Sequence, residues 1–404
     1  MEMVQNPPPD PEGPPNPPSA GSGGVPRSPW RVFAAACIVA AGFVFITLVY
    51  VTNLTPQNAA GRDFIGYWAT GQQLIHHADP YNTQAMLRLE RGVGYTQDVP
   101  RITPSPPVAF LLLIPLGLFG AKTGLIVWLM AQLAVLSICI WMIWILFGRR
   151  DSRLHLAGYL FAPAIACLEA GQLGIFFLLG VMLFLLFHRS RPELAGAGLL
   201  LCALKPHLFL PLVLVLLLWM LRNRAQGLRI LAGFSGLLAL NTAVTLWFDP
   251  RVWQQYLAML RASSIENRLT PTLGEGLRFL FGLHSVWLQW VPEVLGCAWA
   301  LVYFWQRRDR WNWLDHGLLV LLVGGMCTPY AWLTDEAALL PAVIGGIFRA
   351  EDARRSLVPI ALVGTAALVE VMANVQITGW GYLWTTPAWL GWYLYATWGT
   401  RRAA

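Results

Sequence analysis

Apolar runs of membrane length alternate with short polar connections from residue 31 to residue 398. Such runs, with few charges inside them, are typical of helices that cross or line a bilayer. The pattern predicts an all-α polytopic membrane protein built as one bundle of about twelve transmembrane helices. The predicted spans lie near residues 31–51, 123–148, 155–169, 175–188, 194–204, 207–221, 228–248, 285–305, 313–327, 336–349, 356–375 and 382–398.

One further apolar segment, residues 105–119, does not fit a simple crossing. It is short, and Pro106, Pro107 and Pro115 interrupt it. A full crossing at this point would also move every later connection to the opposite side of the membrane. We therefore predict a re-entrant or interfacial helix on the outer side, which leaves both chain termini in the cytoplasm.

The arginines support this orientation. At least two of them occupy each connection that the scheme places in the cytoplasm, whereas the short outer connections contain a single lysine, Lys205. Positive residues concentrate on the cytoplasmic side of membrane proteins. The cytoplasmic connections are residues 149–153, 188–193, 222–229, 306–310 and 348–355, followed by Arg401 and Arg402.

The remaining regions follow from this scheme. Residues 1–29 are rich in Pro, Gly and Ser and predict a disordered cytoplasmic tail, and residues 30–400 predict a single transmembrane domain. Its two long outer loops, 52–104 and 249–284, contain amphipathic patterns at residues 83–92, 251–262 and 274–282. Surface helices there would cover a cavity between the bundle and the outside.

Composition agrees with a membrane protein and excludes one other class. The chain is 56% hydrophobic and 12% charged, against roughly 25% charged residues in an average soluble domain. Its formal net charge of +7 lies mainly in the connections rather than in a basic stripe with interleaved aromatic residues. The charge therefore indicates topology and not nucleic-acid binding.

A polar stretch, GRDFIGYWATGQQLIHHADPYN (residues 61–82), follows the first apolar run. It predicts a helix at the membrane surface, with Tyr67 and Trp68 at headgroup depth and Asp63 facing a cavity. Asp63 has three possible roles: a general base, a metal ligand or an ordinary carboxylate at a helix end. His76 and His77 are adjacent and point to different faces of a helix, which argues against a shared metal ion.

Several other polar residues fall on the same outer side, where groups at membrane depth usually mark function. Lys205 can extend to the interface or contact a lipid phosphate, and His207 lies two residues further on. Arg268 can be a solvated loop residue or a second phosphate contact. Gln172 follows a predicted helix end and can bind a sugar hydroxyl. The segment 328–335, which ends at Asp335, breaks a span and is expected to line a cavity.

These stretches resemble glycosyltransferase family 87, whose members are polyprenol-phosphate-sugar-dependent membrane enzymes of the GT-C type. DFIGYWATGQQLIHHADPYN is similar to the family's DFxxYWxAGxxLLxGxxPY signature after the first span. TPSPPVAFLLLIPLGLF is similar to its YPPxxxLLLxPL segment, EAGQLG through KPHLFL to its NGQ-to-KP region, and CTPYAWLTDEAALLPAV to its late SPxSWxHH or SPYxxxxD element. Asp335 stands where many members carry His.

The resemblance implies a GT-C-type bundle and an inverting hexosyltransferase, most simply a mannosyltransferase. Asp63 would be the catalytic base, and the partners would be a polyprenyl-phosphate sugar donor, a lipid-linked or cell-surface glycan acceptor and membrane lipids. Arg62, Tyr67, Trp68, Gln172, Lys205, His207, Arg268 and Asp335 are the expected substrate contacts. The expectation includes no metal, cofactor or nucleic acid and places the site on the outer face of the cell membrane.

Two other functions remain open at this level. A polytopic lipid or solute transporter would also have polar groups at mid-membrane, although transporters usually show paired repeats with broken helices in both halves. An inactive relative that binds lipid-linked sugars would share the motifs. The sequence has no HExxH, DxD or GxSxG element and no glycine-rich phosphate loop, which disfavours soluble nucleotide-sugar chemistry.

Overall fold

The computed structural model describes residues 29–101, 105–148, 152–263, 270–352, 357–374 and 379–398. Within these ranges the chain is helical and contains no strand. Long apolar runs favour this outcome, because a helix satisfies its own backbone hydrogen bonds when water is excluded. Residues 1–28 of the predicted tail, together with Arg268, Arg401 and Arg402, lie outside the described residues.

The helices follow the apolar pattern closely. They are α1 Pro29–Asn53, α2 Pro56–Ala60, α3 Phe64–Ile75, α4 Thr83–Gly92, α5 Phe110–Leu113, α6 Ala121–Phe147, α7 Ala162–Ala170, α8 Gly174–Phe187, α9 Pro192–Cys202, α10 Leu210–Arg222, α11 Arg224–Phe248, α12 Val252–Ala262, α13 Leu273–Phe281, α14 Val291–Arg307, α15 Leu318–Cys327, α16 Leu340–Asp352, α17 Leu357–Asn374 and α18 Thr385–Ala396. Shorter 3-10 turns include Pro107–Ala109, Ile114–Leu118, Leu154–Leu160, Pro206–Phe209 and Leu333–Leu339.

The chain divides into two compact units, Met1–Thr52 and Asn53–Ala404. In the first unit the described part is α1, an uninterrupted apolar helix. In the second, α9 packs against both α8 and α11, and α8 also packs against α6 and against the turn Leu333–Leu339. These contacts bring the connection between α7 and α8 close to the segment that precedes α16.

Each predicted span contains helix, but the helices differ in length. Among the described residues, α6 and α11 are long and apolar enough to cross a membrane by length and composition. Others are shorter, such as α8, α9 and the segment Pro206–Arg222. The structure therefore supports an all-helical protein of membrane type, and the number of crossings stays a prediction.

The outward faces of two helices are apolar. The most apolar 18-residue stretch of α11 is only 17% buried inside the protein, whereas the core helix of a soluble protein is mostly buried. On α14, the exposed side chains of Val294, Val302 and Trp305 share one helical face. An apolar surface of this extent needs lipid or another protein to cover it.

Helices are present at the three positions where surface helices are predicted. Residues 83–92 form α4, and the two patterns of the second outer loop form α12 and α13. In α4 the Asn82 side chain accepts a hydrogen bond from the backbone N–H of Ala85, and in α13 the Thr272 hydroxyl does the same for Glu275. These caps satisfy free N–H groups at the helix starts and explain why the helices begin there.

Within the segment 105–119, residues Pro107–Leu118 form one helical run that changes from 3-10 to α geometry and back, with Pro115 at the second change. They pack directly on α3. A Cβ atom added to Gly71 would lie 2.5 Å from the carbonyl oxygen of Leu113, and one added to Gly117 would lie 2.3 Å from the carbonyl oxygen of Gly71. The two backbones touch because neither residue has a side chain at the crossing. This crossing fixes α3 and therefore the residue that precedes it, Asp63.

Candidate active site

Asp63 immediately precedes α3 but does not cap it. Its backbone is already helical (φ −65°, ψ −22°), and its side chain makes no capping hydrogen bond. The Gln172 amide instead donates to Oδ2 at 2.6 Å, and the Arg101 guanidinium forms an ion pair with Oδ1. The Asp63 side chain is 38% exposed. The carboxylate is thus both held in place and accessible, which the role of an ordinary helix-end residue does not require.

The turn between α7 and α8 presents Gln172. Gly171 ends α7 with a left-handed backbone (φ +70°), and a Cβ atom at this position would lie 2.8 Å from Cβ of Phe64. Glycine meets both conditions, the positive φ and the close approach of α3. The Trp128 indole N–H donates to the Gly171 carbonyl at 2.7 Å, and the Gln132 amide donates to the Gln172 carbonyl. These bonds anchor the turn to α6.

Tyr67 sets the orientation of the Gln172 side chain. Its hydroxyl donates to Oε1 of Gln172 at 2.7 Å, so the amide N–H₂ group faces Asp63. Burial raises the pKa of Tyr67 well above its ordinary value, and the negative charges of Asp63 and Asp335 raise it further. The phenol therefore keeps its proton and remains a donor. Both carboxylates lie within electrostatic range of this one ring.

We expect Tyr67→Phe to leave Gln172 without its donor and allow the amide to turn away from Asp63. The cost of leaving one part-buried polar group unsatisfied predicts a fall in kcat of about tenfold with little change in KM for the acceptor. Steady-state kinetics of the sugar transfer that the resemblance implies measure both constants. Tyr159→Phe is the matched control, because its hydroxyl bonds the Ser137 hydroxyl at 2.9 Å on an exposed surface. A Tyr67→Phe enzyme as fast as the control would remove this orienting role.

Trp68 and Arg62, the other two predicted substrate contacts in residues 61–82, bond backbone carbonyls of the protein. Trp68 is 6% exposed, and its indole N–H donates to the Phe119 carbonyl at 2.8 Å. Tyr67 and Trp68 therefore pack inside the protein, in place of the exposed interfacial position expected for both rings. Arg62 donates to the backbone carbonyls of Leu168 and Glu169, near the end of α7. A cation there satisfies unpaired carbonyls and stabilises the helix dipole.

A second polar cluster joins Lys205 to Asp335. The Lys205 ammonium lies 2.8 and 3.0 Å from the two carboxylate oxygens, and the Asp335 carboxylate also accepts the backbone N–H of Trp332 at 2.9 Å. The Lys205 side chain is 20% exposed and that of Asp335 only 2%. Lys205 also lies 5.9 Å from the ring centre of Tyr330. Its charge is therefore largely compensated within the protein.

His207 completes this cluster. Its ring meets Tyr330 edge-on, with the ring centres 5.9 Å apart. The buried Nε2 atom has no hydrogen-bond partner among the described residues. A small cavity next to this cluster, with room for about one water molecule, is lined by Leu208, Ala331, Asp335 and Glu336 among others. Ala331 and Asp335 thus border a cavity, and the larger one expected along residues 328–335 stays a prediction.

Sequence reasoning missed Arg101. It is 38 residues from Asp63 in the chain and lies in a polar loop where arginines are common. Of the predicted contacts, the structure brings Tyr67 and Gln172 to Asp63, and it pairs Lys205 with Asp335. Within the described ranges, no three His, Cys, Asp or Glu side chains are grouped as a metal ion would require.

Fold and site together define an all-helical protein of membrane type with an accessible carboxylate at the start of α3. A family model, glycosyltransferase family 87, matches residues 105–329, more than half of the chain. The chain belongs to glycosyltransferase family 87, as its motifs predicted. The matched segment includes Gln172, Lys205 and His207, whereas Asp63 precedes it and Asp335 follows it. No curated protein and no solved structure matches the chain.

Proposed function

We propose that this glycosyltransferase moves a hexose, most simply mannose, from a polyprenyl-phosphate donor to a lipid-linked or cell-surface glycan on the outer face of the membrane. The observation that carries the proposal is the Asp63 carboxylate. It is accessible, it is oriented by Gln172, and it does not serve the helix that it precedes. A fixed carboxylate within reach of an alcohol is the usual form of a general base.

The chemistry is a single displacement. Asp63 accepts the proton of an acceptor hydroxyl while the hydroxyl oxygen attacks the anomeric carbon of the donor sugar. The bond between that carbon and the phosphate oxygen breaks, and the polyprenyl phosphate leaves with the bonding electrons. Attack opposite the leaving group inverts the anomeric configuration, as in glycosidases that use a carboxylate base. Tyr67 is a positioning residue that acts through Gln172.

The second cluster fits the sugar-binding side of the site. His207 offers a buried nitrogen without a partner, which can accept a hydrogen bond from a sugar hydroxyl. The Lys205–Asp335 pair fixes the wall on which that ring rests, since Lys205 and His207 both contact the Tyr330 ring. Trp68 and Arg62 support the fold of the site rather than contact the substrate. Arg268 remains a proposed phosphate contact outside the described residues.

A lipid-borne donor agrees with the rest of the molecule. Apolar helix faces on α11 and α14 are available to the bilayer, in which a polyprenyl chain dissolves. The sequence also lacks the glycine-rich loop and the DxD element that nucleotide-sugar chemistry commonly uses. We therefore propose a GT-C-type bundle of about twelve spans, with cytoplasmic termini and the loops 52–104 and 249–284 outside.

Cysteine labelling tests this orientation. Gln97 lies in the first outer loop and Asn223 lies between α10 and α11, and both are exposed. In intact cells we expect an impermeant thiol reagent to label Gln97→Cys and to spare Asn223→Cys until the membrane is opened. The six natural cysteines set the background, which the unsubstituted protein measures. Labelling with the opposite preference would invert the proposed topology.

Transfer by the purified protein tests the function. In liposomes, we expect the protein to move labelled mannose from synthetic polyprenyl-phosphate mannose to a glycolipid extract and to release polyprenyl phosphate. The corresponding glucose donor tests the choice of hexose. Movement of the donor across the bilayer without transfer would favour a transporter. Donor binding without either activity would indicate an inactive relative.

A further inference from the structure

The ion pair between Arg101 and Asp63 occupies the atom that the proposed reaction needs. Arg101 binds Oδ1 while Gln172 binds Oδ2, so both carboxylate oxygens already have hydrogen-bond donors. An acceptor hydroxyl must compete with the guanidinium for the lone pairs of Oδ1. A base held in this way accepts a proton poorly until the cation moves.

Arg101 is itself held in place by its surroundings. The backbone N–H of Arg101 donates to both carboxylate oxygens of the buried Glu90, at 3.0 and 3.1 Å. The Tyr95 ring lies 5.9 Å from the guanidinium carbon. Since the anchor is on the backbone, the side chain can move without disturbing α4, which carries Glu90.

The Arg101 guanidinium uses only part of its hydrogen-bond donors. Nη1 bonds Asp63, whereas Nε and Nη2 have no hydrogen-bond partner among the described residues, and the side chain is 36% exposed. The neighbouring cations differ. The Arg62 guanidinium is occupied by backbone carbonyls, and Lys205 is compensated by Asp335. A planar fork with free N–H groups is suited to two-point binding of a phosphate.

We propose that Arg101 exchanges Asp63 for the phosphate of the lipid donor, so that donor binding frees the catalytic base. The inference rests on the proposed function, because it assigns Arg101 to that donor. The leaving phosphate lies on the far side of the anomeric carbon from the attacking hydroxyl. Arg101 must therefore swing away from Asp63 to reach it, and the same movement opens Oδ1. In this exchange Arg101 changes its ion-pair partner, and no covalent bond forms or breaks.

Binding of polyprenyl phosphate, the leaving group without its sugar, tests the exchange apart from transfer. On the purified full-length protein, we expect Arg101→Gln to weaken this binding about 10- to 100-fold and Arg101→Lys to restore part of it. Asp63→Asn should instead strengthen binding, because the carboxylate no longer competes for the guanidinium. A merely structural Arg101 would not produce this opposite change. Arg91→Gln is the control, since Arg91 lies at the end of α4 and pairs with the exposed Asp98.

Vesicles of phosphatidylglycerol distinguish the source of the phosphate. Equal binding of this diester headgroup and polyprenyl phosphate through Arg101 would assign the site to bulk lipid and overturn the donor assignment. Unchanged polyprenyl-phosphate binding in Arg101→Gln, or weaker binding in Asp63→Asn, would overturn the exchange even if the wild-type protein transfers sugar. A wild-type protein that transfers nothing but binds polyprenyl phosphate through Arg101 would retain the phosphate site and lose the proposed function.

Discussion

Asp63→Asn is expected to bind the donor and to transfer almost no sugar. The amide has nearly the shape of the carboxylate but cannot take the acceptor proton, so the loss is that of a general base, about 10²- to 10⁴-fold in kcat. The measurement is the rate of mannose transfer by purified protein at saturating donor. Donor binding is measured on the same sample, so that a folding defect cannot explain the loss.

Two variants frame this result. Asp98→Asn is the matched control, since Asp98 belongs to the same outer loop and its side chain is 97% exposed. It should transfer at the wild-type rate. Asp63→Glu keeps a carboxylate but moves it by one methylene group, and intermediate activity is expected because the base is displaced from the geometry that Gln172 sets. An Asp63→Asn protein that kept a large part of the wild-type rate would exclude Asp63 as the base.

Lys205→Met is expected to cause the largest loss of stability. The change leaves the Asp335 carboxylate, which is 2% exposed, without its cation. Breaking a buried ion pair from one side costs about 3–5 kcal/mol. Asp335→Asn should cost less, because the remaining ammonium is 20% exposed and can reach water. Thermal unfolding of the detergent-purified proteins gives the order of the two effects.

The double variant and an exposed pair provide the controls. Lys205→Met combined with Asp335→Leu removes both charges and should recover much of the stability lost in Lys205→Met. Arg229→Gln breaks the exposed pair with Glu193, whose side chains are 55% and 49% exposed, and should change stability by less than about 1 kcal/mol. If Lys205→Met unfolded no earlier than Arg229→Gln, the buried pair would not hold the wall of the site.

Local sequence pattern predicted the helices well. The helices inside the predicted spans and the helix α4 were located because apolar periodicity and caps are local signals. Asp63 could be identified as a candidate functional residue for a related reason, since an acid in a short polar stretch beside an apolar run is conspicuous. The family motifs then added the expected role. Local pattern could not decide how many of the helices cross the membrane, because several are shorter than a bilayer.

The partners within the site could not be predicted in the same way. Gln172 is 105 residues from Tyr67, and Lys205 is 130 residues from Asp335. Such pairings depend on how helices pack, which the spacing of residues along one segment does not contain. Trp68 illustrates the ambiguity, because an aromatic ring near a predicted interface has the same local pattern whether it faces lipid or protein. Opposite charges next to apolar runs were the available signal for the Lys205–Asp335 pair.

The anomeric configuration of the product tests the central claim most directly. With a synthetic polyprenyl-phosphate mannose of known configuration, proton and carbon NMR of the new glycosidic bond shows whether the anomeric centre was inverted. One displacement assisted by Asp63 predicts complete inversion. Retention of the donor configuration would contradict the mechanism, because it requires a second displacement and a nucleophile that a single general base does not provide.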